Sequence, residues 1–568
     1  MSDAGLAANF PSGILHFRKN RFRSIGPLPV LFLVLIILML CPLVMIFARA
    51  LVNNGKLDLS LAIGMILQKE NITTIANTLI LGLSVVACST LIALPLAILT
   101  SRTQIARNRW LDIVLMIPFM TPPFIASMGW ILFTQKHGLF QQLLPFTGSF
   151  SEGFFSFGGL VLVMSFNVFS FMYMTLKNAI LNIGSGMEES AAISGGRYWY
   201  RMRRITLPLL SGNYAIGALL VFVKTLSEYG TPATLGHRIG FSVFTTAIYR
   251  YATVSPIDFG RSASLSAVLI GICLSAWFLQ NYITNRNSYR LVGGKGFRRN
   301  EKPLRGIALT AAWVTISVIL IASIGVPYFS VFCTSIIKLR GYGLAAGNFT
   351  LLHYVELFTE IPKARAAFIN SIVLAVSSAT IAAALGTLLA SAFHYSKAKG
   401  RKALEALSLI PEMLPAIVFI IGIMLFWNGI YKIIPLYNTL GIMILAYVTL
   451  FLPYTVQYVS SAFSQISDSL VQAGRSLGGG PFYVFRRITL PLLARGVMAG
   501  WIMTFIISFR ELVTASLIAP PNTLVVSTYI TREFEQGSVS LGMAMAMICV
   551  LFTTTVLLLL NRLTKPVN

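Results

Sequence analysis

The chain has 568 residues, of which 56% are hydrophobic and 11% charged, and its mean hydropathy is +0.77; this leaves too little polar surface for a soluble fold. Lys and Arg number 44 against 18 Asp and Glu, a formal net charge of +26. The basic residues cluster in short segments between apolar runs, without the aromatic-interleaved basic domain a nucleic-acid duplex would need, so the charge reads as a topology signal.

Apolar runs of roughly 20 residues, enough to cross a hydrocarbon core of about 30 Å, recur along the whole chain. They must be helices, because the bilayer offers backbone groups no other partner, and they lack the ~10-residue alternation of barrel strands. The class is therefore an all-α polytopic membrane protein with about twelve transmembrane helices. A basic patch, Arg18 to Arg23, precedes the first apolar run, Leu28 to Phe47, which Ala48-Arg49-Ala50 closes. The run exceeds a signal-peptide core of roughly 7–15 residues and reads as an uncleaved first span with a cytoplasmic N-terminus. Further spans are expected near 75–100, 111–134, 158–182, 211–234, 263–284, 307–334, 368–394, 404–428, 440–463, 495–518 and 540–561.

That makes six spans per half. An even number returns the chain to its starting side, so the two six-helix repeats run parallel, and both termini fall in the cytoplasm. The first half is 1–285 and the second 306–568. Between them, 286–305 carries Arg286, Arg290, Lys295, Arg298, Arg299, Lys302 and Arg305 against Glu301 alone, a basic cytoplasmic linker. The basic segments Arg102 to Arg109 and Lys397 to Lys402 fall on the same side. On the opposite side Val52 to Thr74 balances its charges, whereas Arg340 to Arg365 is mildly basic and breaks the rule.

The duplication is written in the residues. Arg-Arg-Ile-Thr-Leu-Pro-Leu-Leu occurs at Arg203 to Leu210 and again at Arg486 to Leu493, with the prolines 491 − 208 = 283 positions apart. Asn77 and Asn370 open related strings, and Pro118 and Pro122 correspond to Pro411 and Pro415, all at an offset of 293. The difference implies about ten extra residues in the first half, around Gln141 to Phe157. The repeated prolines interrupt the third spans and should bend them.

Ahead of each repeated string lies a segment of small residues ending in glycine, 188–195 and 471–478, which lets a short helix end and turn. Tyr198-Trp199 and Pro481-Phe482 then offer aromatic anchors for a partner, and Arg203, Arg204, Arg486 and Arg487 could face lipid headgroups or a partner's acids. This spacing resembles the cytoplasmic loop of permeases in binding-protein-dependent ABC importers: Glu-Ala-Ala, three residues, Gly, nine residues, Ile, one residue, Leu-Pro. The first copy supplies Glu189, Ser190, Ala191, Gly195, Ile205, Leu207 and Pro208; the second supplies Gln472, Ala473, Gly474, Gly478, Ile488, Leu490 and Pro491. Gln472 removes the acid, so the two couplings should be unequal.

The resemblance implies a type I transmembrane domain in two fused copies, in a bacterial inner membrane. It implies two copies of an ATP-binding subunit docked at the two loops, with ATP and Mg used by that subunit, and an external periplasmic solute-binding protein. Trp199 and Phe482 would serve the docking. Among such permeases the chain looks most like the ferric iron uptake group, on Ser227-Glu228-Tyr229-Gly230-Thr231-Pro232 and Phe509-Arg510-Glu511-Leu512 with the following prolines. Polyamine, phosphonate, thiamine and sulfate permeases share most of this pattern.

No phosphate loop is present, since Gly293-Gly294-Lys295 lacks the upstream glycine and the following hydroxyl, so the chain is not an enzyme and binds no cofactor of its own. Ile193-Ser194-Gly195-Gly196-Arg197 imitates an ATPase signature only superficially. The five histidines have no metal-ligand spacing, no catalytic constellation stands out, and Cys41, Cys88, Cys273, Cys333 and Cys549 lie in apolar segments as packing residues. Charge inside a bilayer usually faces a cavity or a partner. Lys224 and Glu228, four apart on one helical face, can pair; Arg510 can neutralise Glu511; and Glu412 stands where the first half has Phe119. These five are candidates for the translocation path, with a structural ion pair as the competing role for Lys224 and Glu228. The alternative function is an ion- or proton-coupled secondary transporter, which also has two parallel six-span halves.

Overall fold

The computed structural model describes residues 28–53, 56–57, 59–148, 150–182, 190–286, 303–395 and 400–564. Glu188, Glu189, most of the linker and the N-terminal basic patch lie outside the described residues. Among those described, ten helices are long and apolar enough to cross a membrane, and two sharply bent pairs raise the number to twelve if each pair is one span.

The first half comprises α1 (Leu28–Leu51), α2 (Lys69–Arg102), the broken pair α3 (Trp110–Met120) and α4 (Pro123–Thr134), α5 (Phe157–Asn182), α6 (Met202–Ser227), the short α7 (Phe244–Thr253) and α8 (Phe259–Arg286). The second half repeats this order. It has α9 (Ile307–Ile336), α10 (Pro362–Tyr395), the pair α11 (Arg401–Met413) and α12 (Ala416–Gly429), and α13 (Leu440–Phe463). It continues with α14 (Asp468–Ser476), α15 (Phe482–Phe509), the short α16 (Val513–Ile518) and α17 (Val526–Gln536), and α18 (Val539–Thr564). Residues 135–156 carry two short α-helices and a 3-10 turn between them where the second half has only 430–439, which is where the offset change implied an insertion.

Each half has a core of three mutually packed helices, α2, α5 and α6 in the first and α10, α13 and α15 in the second. On α10 the buried positions are largely Ala, Ser, Thr and Gly. Small residues let helix backbones approach closely where lipid tails leave no hydrophobic drive between helices. The first span of each half leaves its own core: α1 packs on α12, and α9 packs on α4. The two halves are clasped together by exchanged helices.

The proline-bearing third spans are broken, not merely bent. The axes of α3 and α4 differ by 91°, and those of α11 and α12 by 110°. Extended residues ahead of the second helix, Thr121 and Pro122 in one half and Leu414 and Pro415 in the other, make the corner, because a residue before proline is steered away from the helical region.

The repeated string is helical, which corrects its reading as loop. Five-residue π turns occur at Met202–Thr206 and Phe485–Thr489, and a second matched pair at Ile36–Leu40 and Ile321–Gly325. Each of these four ends two residues before a proline, Pro208, Pro491, Pro42 and Pro327, whereas a fifth π turn, Pro232–Gly236, begins on one. A proline ring collides with the carbonyl four residues back and donates no amide hydrogen; widening the preceding turn moves that carbonyl aside. The fifth span of each half therefore starts earlier than hydropathy suggested, at Met202 and Phe482, and ends earlier, at Ser227 and Phe509.

Candidate coupling and translocation sites

The two candidate coupling segments fold alike. In the second copy Ser467 accepts the Ser469 amide at 3.3 Å and opens α14. The helix ends at Gly478, whose φ of +85° is the left-handed value glycine tolerates best. Gly478 donates to the Arg475 carbonyl at 3.0 Å, and Gly479 to the Gly474 carbonyl at 3.1 Å. In the first copy Gly195 has φ +82°, donates to Ala192 at 3.0 Å, and is followed by Gly196 donating to Ala191 at 2.8 Å. The spacing of small residues and glycine in the sequence thus encodes one helix-ending turn, built twice.

Around these turns the surface is apolar. Ile193 is 87% exposed, Leu477 89% and Phe482 73%, while Ser190, Gln472 and Ala473 are exposed beside them. The side chain of Trp199 lies outside the described residues. Gly474 is held close to Ile488 and Val484 of α15, and Val471 and Val484 are buried, so α14 rides on the start of α15. Behind it, Tyr395 shares a hydroxyl contact with Thr489 at 2.8 Å and lies under Arg475, 6.0 Å from the ring centre. Pro208 and Pro491 are exposed, and each stands two residues after a π turn.

At the far ends of α6 and α15 the candidate carboxylates are occupied. The Lys224–Glu228 pair expected from sequence does not form. The helix stops at Ser227 and Glu228 is extended, with φ −76° and ψ 132°, which takes its side chain off the shared face. Both Glu228 carboxylate oxygens accept the Thr231 amide, at 2.9 and 3.1 Å. Lys224 instead sits 6.0 Å from the centre of the Phe171 ring, itself in edge contact with Phe119.

Glu511 is likewise not neutralised by Arg510: its oxygens accept the Val513 and Thr514 amides at 3.0 and 2.8 Å. Each glutamate caps a backbone turn that a buried chain must otherwise leave unsatisfied. Glu412 hydrogen-bonds to Gln457 of α13, so the position that is aromatic in the first half is polar in the second.

These turns belong to a duplicated circuit of hydrogen bonds. Thr245 donates to the Glu228 carbonyl at 2.9 Å, and Ser527 to that of Glu511 at 2.5 Å. Asn77 donates to the Ser242 carbonyl at 3.1 Å while Thr78 accepts the Phe244 amide at 2.9 Å. In the second half Asn370 donates to Leu524 at 3.0 Å and Ser371 accepts from Val526 at 2.8 Å. Thr78 and Ser371 were missed as contributors, although each directly follows the asparagine that marked the repeat. Also missed was Lys177, a charge inside an apolar run, which pairs with Asp112; Tyr173 donates to the same carboxylate at 2.6 Å and contacts Thr100 at 2.9 Å.

Between the halves, beyond these two turns, lies a cavity of about 770 Å³, with walls from 229–254 of the first half and 512–536 of the second. It sits at the ends of α6 and α15 remote from the coupling segments.

Two parallel helical repeats, matched surface turns at one end and a shared cavity at the other define a duplicated membrane permease. Residues 89–289 and 382–566 each match the binding-protein-dependent transport system inner membrane component family, and the chain belongs to that family. It is the permease component of a binding-protein-dependent ABC importer, an inner-membrane protein whose family membership implies ATPase and binding-protein partners.

The ferric transport system permease protein FbpB of Actinobacillus pleuropneumoniae is 24% identical over 94% of this chain and 77% of its own length. The Fe(3+)-transport system permease protein FbpB 2 of Haemophilus influenzae is 24% identical over 93% of this chain and 97% of its own. The spermidine/putrescine transport system permease protein PotC of Haemophilus influenzae is 26% identical over 40% of this chain and 86% of its own length.

Proposed function

We propose that this permease carries ferric iron into the cytoplasm and that two ATPase subunits dock on it, one at 190–199 and one at 468–482. The observation that carries the docking reading is the pair of matched turns at Gly195 and Gly478, each beside exposed apolar side chains and each leading within a few residues into a long helix, α6 or α15, that ends at the shared cavity. A helix of 28 residues spans about 40 Å at roughly 1.5 Å per residue, so a push at the coupling end reaches the far side. The coupling face is then cytoplasmic and both termini lie there; the binding protein delivers solute at the opposite face. ATP and Mg serve the partner, and this chain contributes Ser190, Ala191, Gly195, Gln472, Ala473, Gly474, Gly478 and Phe482 to docking, with Glu189 and Trp199 as further members.

Iron is favoured because the relatives that align with nearly the whole chain are ferric permeases, whereas the polyamine relative aligns with one half. Along the path, Lys224, Glu228, Arg510, Glu511 and Glu412 are the candidates, with Glu228 and Glu511 also capping turns and Glu412 bonded to Gln457. The test is uptake of radiolabelled iron into cells holding the complete importer, with wild type against a Gly195→Val, Gly478→Val double variant, and with the ATPase co-purified and counted. Two ATPase subunits per chain and loss of uptake in the inserted variant are expected. Normal uptake by that variant would overturn the docking assignment.

A further inference from the structure

The cavity shared by the two halves has a charge pattern that the docking and gating parts do not use. Three basic side chains line it, His237, Arg238 and Arg250, and a single carboxylate, Glu535. Arg250 is committed to an ion pair with Glu70 and lies over the Tyr251 ring, 5.2 Å from its centre. Arg238 has no ion pair among the described residues; its guanidinium packs over Phe534, 5.6 Å from the ring centre, from the other half.

Burial, and then the nearby Arg340, hold the pKa of Arg238 below the ordinary guanidinium value, with Glu535 compensating in part. A cation held beside another cation, on an aromatic platform that crosses the half–half boundary, is only partly offset by Glu535, a carboxylate it shares with His237. Neutral side chains, Ser242 and Gln536, line the same space, whereas the Thr246 hydroxyl donates to the Val243 carbonyl at 3.0 Å. The planar guanidinium fork matches oxyanions and carboxylates.

We infer that this cavity receives its solute through an anionic oxygen group, with Arg238 as the anchor. The inference rests on the importer reading above and deepens it. For a ferric cargo it means that iron enters as a complex with carboxylate or oxyanion ligands, not as an unligated cation. A bare trivalent cation would be repelled by Arg238 and Arg340 and would find one carboxylate, whereas hard cations are ordinarily held by several oxygen ligands. Ligands already on the metal supply those oxygens and reverse the sign of the charge the cavity meets.

The experiment uses the complete importer in cells and follows two probes, radiolabelled iron supplied as ferric citrate and radiolabelled orthophosphate without iron. Arg238→Ala is expected to lower uptake about tenfold or more, as for a lost charge-assisted contact, and Arg238→Lys to recover part of it. Arg532→Ala, exposed on α17 but outside the cavity lining, is expected to behave as wild type. Loss confined to ferric citrate identifies the anionic group as a ligand on iron; equal loss for orthophosphate identifies a free oxyanion.

Uptake of both probes within about twofold of wild type by inserted Arg238→Ala, or wild-type uptake of spermidine in place of either probe, would overturn the inference. Should the alanine variant fail to insert, Arg238→Gln takes its place. The Gly195→Val, Gly478→Val variant run in parallel reports on the importer reading separately: if it keeps uptake the docking assignment fails, whatever Arg238 does.

Discussion

Gly422 of α12 lies against the main chain of Pro42 in α1: a Cβ built on the glycine would stand 2.6 Å from the proline carbonyl oxygen. The same contact is repeated by Gly129 of α4 and Pro327 of α9, at 2.7 Å. In both places the helix that arrives belongs to the other half, and the proline is the one that follows a π turn. The exchange of first spans thus depends on two glycines that allow backbone to meet backbone.

Substituting Gly422 or Gly129 by Ala should therefore force the clasp apart. The expected cost is about 1–3 kcal/mol per site, the usual range for overpacking against atoms that cannot move aside, read as a lower thermal midpoint of the detergent-solubilised protein. Gly64→Ala, where a Cβ meets nothing within 4 Å, is the control. A midpoint unchanged at both clasp positions would refute the backbone contact.

The turns at Gly195 and Gly478 call for a different outcome. A side chain at a left-handed residue costs roughly 1–2 kcal/mol locally, yet neither glycine has a neighbour within 4 Å of the position a Cβ would take. Gly478→Ala should leave insertion unchanged and lower the thermal midpoint by no more than this local strain, while lowering the ratio of solute moved to ATP hydrolysed. Because the second copy has Gln472 in place of an acid, the two single variants should differ in that ratio; equal losses would argue against unequal couplings.

Glu228→Gln and Glu511→Gln separate a structural from a permeation role. If the carboxylates cap the turns, each change replaces a charge-assisted acceptor with a weaker amide carbonyl, and at Glu511, whose two oxygens serve two amides, it also turns an NH2 toward a backbone hydrogen, at about 1–3 kcal/mol. Faster hydrogen exchange at Thr231 or at Val513 and Thr514 should then accompany a lower thermal midpoint. A fall in transport with exchange and stability unaffected would instead make them pathway ligands.

Pro208→Ala and Pro491→Ala should raise stability and weaken coupling together. Alanine restores an amide donor and removes the ring clash, a gain of up to about 3 kcal/mol in a helix interior. The π turn ahead loses its cause and relaxes toward α geometry, rotating the coupling segment relative to the span. Circular dichroism melts and ATP-dependent uptake of the double variant check both halves of this expectation, and uptake at wild-type efficiency would show the π turns to be incidental.

Much of this architecture was legible in the residues because bilayer physics leaves few choices. An apolar run of sufficient length must be a helix, and a repeated string at a fixed offset must be a repeated position. The glycine turns were equally readable, since a left-handed residue after a run of small residues has few other sequence solutions. The roles of Glu228 and Glu511 were not: a helical wheel puts Lys224 and Glu228 on one face, and only the termination of α6 at Ser227 sends the carboxylate to its own turn. The early start of α6 and α15 was hidden for a related reason, because hydropathy sees Arg203 and Arg204 as loop while the helix carries them exposed.

Composition and spacing alone determined the helical membrane class, the duplication and the two glycine turns, all properties of local chain chemistry. Tertiary structure decided which helices exchange between halves, which carboxylates are occupied, and where Arg238 of one half meets Phe534 of the other. Those contacts join residues hundreds of positions apart, and periodicity along one helix carries no information about the partner that fills the space beside it.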